Sequence, residues 1–206
     1  MSSEHLDTRA GGQRPHSHHA QPGGATPPRP QPAHGERRRF LLLQLALGPA
    51  VLGSYALGFL RWPEALAAMW GGVPEAARGI YTAWMFVAGA GYCVFTPAFY
   101  LHATAPGTRV AFGLDARALH AFYAATLAGS IAWLPLTKWH LDGALPFGLV
   151  VLDLWLVAAG SLALLATTFA LSPPLPRGWR AAARLGAAAF CVQTVLLDAV
   201  IWPLAW

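Results

Sequence analysis

Charge is scarce in this chain. Only 11% of its 206 residues are Asp, Glu, Lys or Arg, against roughly 25% in an average soluble domain, and Lys138 is the sole lysine. A lysine at a span end rather than in mid-membrane excludes a retinal-type Schiff base. Cysteine is equally sparse: Cys93 and Cys191 are the only two, and they form no C-x-x-C pair. Thiol-disulfide exchange and iron-sulfur ligation therefore lose their ligands, and both residues read as small apolar packing groups. The sequence also lacks a G-x-x-x-x-G-K-[ST] phosphate loop, an H-E-x-x-H zinc helix and a G-x-S-x-G elbow, which removes the most recognisable catalytic classes.

What is present is hydrophobic length. Apolar residues make up 55% of the chain, gathered into runs at about 40–60, 80–103, 119–137, 144–171 and 181–206. Each is near or above the ~20 residues a helix needs to cross hydrocarbon. The expected fold is therefore all-α: a polytopic membrane bundle of five transmembrane spans over residues 40–206. Pro135 is expected to shorten the third span. Residues 1–39, rich in Pro, Gly, His and Arg and poor in large apolar side chains, cannot bury enough surface to offset ordering entropy, and read as a disordered tail. Its His16, His18 and His19 have no fixed geometry, so no metal or cofactor is expected.

Orientation follows from the cations near span ends. With the N-terminus cytoplasmic, Arg37, Arg38, Arg39, Arg109, Arg117, Arg177, Arg180 and Arg184 fall inside, against Arg61, Arg78 and Lys138 outside. Eight against three favours N-in, C-out. The net charge of +5 needs no nucleic-acid partner, because its excess lies in the tail and beside the spans. On this topology eight of nine tryptophans occupy the outer half or outer loops, with Trp179 alone inside. Such an asymmetry reads either as an interfacial belt or as an aromatic-lined outer pocket.

Two acids interrupt the apolar runs. Asp198 lies eight residues before the C-terminus and Asp153 eight residues after Leu145, so each sits about 12 Å below the outer ends of its span. A mid-membrane acid costs roughly 2.5–3.5 kcal/mol on insertion scales and usually faces the bundle, a partner or water. Ala187, Cys191, Thr194, Asp198 and Trp202 recur at helical spacing and are expected to form an inward stripe. Gly160, seven residues beyond Asp153, gives a second helix room to approach. Two carboxylates in one pocket would share a proton or hold a cation, capped by Trp155 and Trp202. In the alternative reading each acid, hydrogen-bonded to Thr194, Gln193 or a tyrosine, simply fastens neighbouring helices.

The loop "TKWHLDGALP" sets His140 above this pocket as a candidate relay. The loop "RWPEALAAMWGGVPEAARG" repeats Pro-Glu-Ala, which predicts two short interfacial helices. Asp115 reads as a helix cap, and His102 and His120 flank the inner loop without a further ligand pattern. The function expected is binding or movement of a small ligand or proton through an outer Asp/Trp pocket. Its expected partners are the lipid bilayer, a small-molecule or lipid ligand, and a larger membrane complex. A membrane-embedded enzyme acting on a lipid or isoprenoid by acid/base chemistry, and a structural subunit, are the competing readings.

Overall fold

The computed structural model describes residues 33–206; the greater part of the segment read as a tail, residues 1–32, lies outside the described residues. The elements are α1 (Ala33–Arg61), α2 (Pro63–Ala68), α3 (Glu75–His102), a 3-10 turn (Ala111–Gly113), α4 (Ala116–Leu141), α5 (Phe147–Ala170) and α6 (Arg177–Cys191). The last helix continues without a break through a π-helical segment (Val192–Ile201) into a final α-helical turn (Trp202–Leu204). Among the described residues there is no strand, and five helices are long and apolar enough to cross a membrane.

The apolar runs end where the sequence supplies punctuation. Asp115 caps α4, its Oδ1 accepting from the Arg117 backbone N–H at 3.0 Å. Asp115→Ala should therefore lower stability by about 1 kcal/mol, read as a modest drop in melting temperature; an unchanged melt would show the cap to be idle. Pro74 precedes Glu75, the first residue of α3. Three departures from the sequence expectation follow. Residues 33–39, read as the end of a disordered tail, form the start of α1. α4 runs through Pro135 to Leu141, because a proline in a span removes one hydrogen bond that helical neighbours can compensate. The second Pro-Glu-Ala opens α3 itself, so only the first forms a short helix, α2.

Packing order differs from chain order. α3 lies against α6, and α4 lies between α1 and α5, while α5 also touches α6 and the π segment. Glycines set the closest approaches. A Cβ on Gly91 of α3 would strike the carbonyl oxygen of Gly186 in α6, and one on Gly186 would lie 2.7 Å from the Gly91 oxygen. Gly160 of α5 is filled by α4, with the Phe122 oxygen 3.0 Å from its Cβ position. The glycine expected to admit the last helix thus admits α4; the last helix instead meets α5 where Cys191 Sγ donates to the Ser161 oxygen at 3.3 Å.

Several buried hydroxyls are satisfied within their own helix. Thr126, Thr137, Ser161 and Thr167 each donate to the carbonyl four residues earlier, so these polar groups enter the core with a partner. Two apolar clusters result. One contains Phe40, Phe95, Phe99, Leu119, Tyr123 and Leu164, near the arginine-bearing ends of the helices. The other contains Val73, Tyr81, Val150, Leu154 and Trp202, at the tryptophan-rich end.

Candidate functional site

The tryptophan-rich end is assembled by six separated segments. Trp202 is 4% exposed, and its indole Nε1 donates to the Met69 carbonyl at 2.9 Å, tying the chain's last turn to the end of α2. Around it stand Trp206, Phe147 and Trp133, with ring centroids at 4.8, 5.9 and 6.1 Å. Tyr55 of α1 extends this layer through Trp133 at 6.0 Å, while Trp70 meets Tyr81 edge-on at 6.1 Å. Trp133–Trp202 and Trp70–Tyr81 are edge-to-face, and such pairs each add roughly 0.5–1.5 kcal/mol beyond area burial. The layer is therefore held in place by its own rings.

Asp198 lies one turn below Trp202. Its Oδ1 accepts a 2.7 Å hydrogen bond from Gln193 Nε2. The spacing is five residues, which in an α-helix would leave the two side chains about 140° apart. The π register of Val192–Ile201 brings them together, since its turns close on the fifth residue. The Tyr81 hydroxyl donates to the Leu197 carbonyl at 3.4 Å, one residue before Asp198, and Tyr55 stands against Trp133 in the layer above. Asp198 thus lies next to an aromatic layer to which α1 and α3 each contribute a tyrosine. Thr194 is buried, but its hydroxyl is spent on the Phe190 carbonyl at 3.0 Å.

Asp153 is placed differently. It faces α4, where its Oδ1 would lie 3.2 Å from a Cβ on Gly129. Its Oδ2 and the Gln193 Oε1 are buried without a hydrogen-bond partner among the described residues. Counted from Phe147 and from Leu204, Asp153 and Asp198 are each six residues deep, about 9 Å, so they share a layer. Their neighbours differ, however: no hydrogen bond or common donor joins the two carboxylates among the described residues.

Trp155 departs most from the sequence reading. It is 60% exposed, because two residues along an α-helix rotate it by about 200° away from Asp153. It caps nothing in this site; Trp202 and Trp133 occupy the inward positions. His140 belongs to the rim, with Nδ1 3.0 Å from the Leu145 carbonyl oxygen and its ring beside Phe147 and Trp206 at 5.2 and 5.7 Å. Lys138, beside it, pairs with Asp142. Of the six residues singled out, Asp198, Trp202 and Thr194 share the inward face of one helix. The sequence reading missed Tyr55 and Tyr81, whose only signal was an aromatic residue in each of two helices that reach the layer around Trp202.

At the opposite end, His120 pairs with Glu36 at 3.5 Å and His102 lies beside Trp179, so the two histidines have separate partners. Among the described residues no three His, Cys, Asp or Glu side chains converge.

The fold and site define a helical bundle of five span-length helices with an acid-bearing aromatic layer at one end. Comparison with protein-family models, curated proteins and solved structures finds no match to this chain.

Proposed function

We propose that this chain is an integral membrane protein, N-terminus cytoplasmic and C-terminus opposite, that binds or moves a small cation or a proton at Asp198. The membrane reading rests on the bundle's exterior. Leu42, Leu52, Phe59, Leu60, Phe86 and Leu152 are all exposed, an apolar coat far larger than a soluble monomer presents to water. Orientation rests on the arginine excess at the other end.

The observation that carries the site is the Gln193–Asp198 contact within a π segment, a geometry concentrated at functional positions. An acid among Tyr55, Tyr81 and Trp202 offers a cation both opposite charge and π faces. Gln193 Oε1 and Asp153 Oδ2 are two further acceptors without donors, so the layer has more acceptors than it satisfies, which suits a cation or proton. Asp153, at the same depth, supplies a second carboxylate along the way.

Asp198→Asn keeps the Gln193 contact's shape and should fold with little change in melting temperature. Titrating wild-type and variant with tetramethylammonium and with primary amines, read by tryptophan fluorescence, should show binding weakened by about a hundredfold in the variant, the scale of losing one charge from a desolvated pair. Asp153→Asn should weaken it less. Full binding and full proton flux by Asp198→Asn in proteoliposomes would overturn the proposal.

A further inference from the structure

An open groove of about 890 Å³ runs along the outward surface between α4 and α5. Its floor is made of small residues, Ala121 and Ala125 on α4 and Ala159, Gly160 and Ala163 on α5, with Leu156 at one end and phenylalanines at the other. From Leu156 to Phe169 the groove follows α5 through fourteen residues, about 20 Å, a little more than one leaflet of a hydrocarbon core ~30 Å thick. Phe112 and Phe169 stand at the arginine-rich end. Phe112 holds a left-handed backbone, φ 61°, yet is 77% exposed. No core contact rewards that conformation, but the ring lines the groove.

Three arginines surround this mouth. Arg184 stacks its guanidinium on the Phe169 ring, 4.2 Å from the centroid. Arg109 donates to the Gly113 carbonyl at 3.5 Å, next to Phe112. Arg117 lies one helical turn before Ala121, on the groove's face of α4. None of the three forms an ion pair among the described residues. One carboxylate, Asp115, is nearby and is committed to the backbone of Arg117 as a cap, which leaves the mouth net cationic.

We infer that this groove is a binding site for one membrane phospholipid with an anionic headgroup, its acyl chain along the alanine floor and its phosphate among Arg109, Arg117 and Arg184. Charge complementarity selects the occupant: a packed helix from another protein needs the small-residue floor but has no use for an unpaired cationic mouth. A zwitterionic lipid gains the floor and little from the mouth. Each arginine close to an anionic lipid shifts partitioning several-fold.

The test uses full-length protein in phosphatidylcholine nanodiscs holding a minor share of phosphatidylglycerol, with retained lipid measured by native mass spectrometry after detergent extraction. Wild-type protein should retain phosphatidylglycerol in preference to phosphatidylcholine. The Arg117→Gln/Arg184→Gln double variant should lose that preference by roughly tenfold or more. Ala159→Phe, an exposed position that fills the groove, should abolish retention of either lipid, with an unchanged melting curve. Equal retention of both lipids by wild-type protein would overturn the site. So would full phosphatidylglycerol retention by Ala159→Phe, or its displacement by inorganic phosphate, since either result describes a headgroup contact without a chain site. Resistance of the protein to alkaline extraction from membranes reads its insertion separately from any of these outcomes.

Discussion

Replacing Trp202 with alanine should destabilise the bundle by about 3–5 kcal/mol, the range for deleting a large buried aromatic. The side chain is almost wholly buried and its Nε1 bond to Met69 is the tie between the last turn and α2. Its removal leaves the Met69 carbonyl without that donor and opens space among Trp133, Phe147 and Trp206. Unfolding in mixed micelles, titrated with a denaturing detergent, would read the loss directly. Trp155→Ala is the internal comparison. That ring is exposed, so its loss should shift the midpoint by less than about 0.5 kcal/mol. Similar losses for the two variants would mean that the aromatic layer is an interfacial belt and not a packed structure.

Gly91→Leu should be the second severe lesion. Its Cβ would strike the Gly186 carbonyl oxygen, and a backbone atom cannot swing aside as a side-chain tip can. α3 and α6 must separate, at a cost of at least about 1–3 kcal/mol and more where the interface cannot relax. Because α6 leads directly into the π segment, the displacement should also disturb Asp198. Size-exclusion profiles in mild detergent should show a loss of monodisperse protein. Gly89→Leu, two residues earlier with nothing within 4 Å of its Cβ position, should behave as wild type. A well-folded Gly91→Leu variant would contradict the close crossing.

These two sites show where sequence patterns inform and where they stop. The five helices were legible because runs of apolar residues near membrane length have few other structural uses, and their punctuation, Asp115 and Pro74, acts through local backbone chemistry. Of the inward stripe expected from helical spacing, Ala187, Cys191, Thr194 and Trp202 are buried, and Asp198 is half-buried. The partner of each face was not legible. Gly160 admits a neighbour, but only the assembled bundle makes that neighbour α4. The contact between Gln193 and Asp198 was legible only as one of several hydrogen-bonding options, since α-helical periodicity puts five-residue neighbours on different faces and nothing in the composition announces a π register. Tyr55 and Tyr81 were invisible for a related reason: they are far from Asp198 in sequence, and each reads alone as an ordinary span residue. Trp155 shows the converse. Closeness to Asp153 in sequence placed it on the opposite face.

The most direct test of the account is infrared difference spectroscopy of the carboxyl groups in reconstituted protein, recorded on adding tetramethylammonium and across a pH step. Wild-type protein should show a carboxyl band change that persists in Asp153→Asn and disappears in Asp198→Asn. An undiminished band in Asp198→Asn would contradict this assignment, by showing that the acid bonded to Gln193 does not receive the cation or the proton.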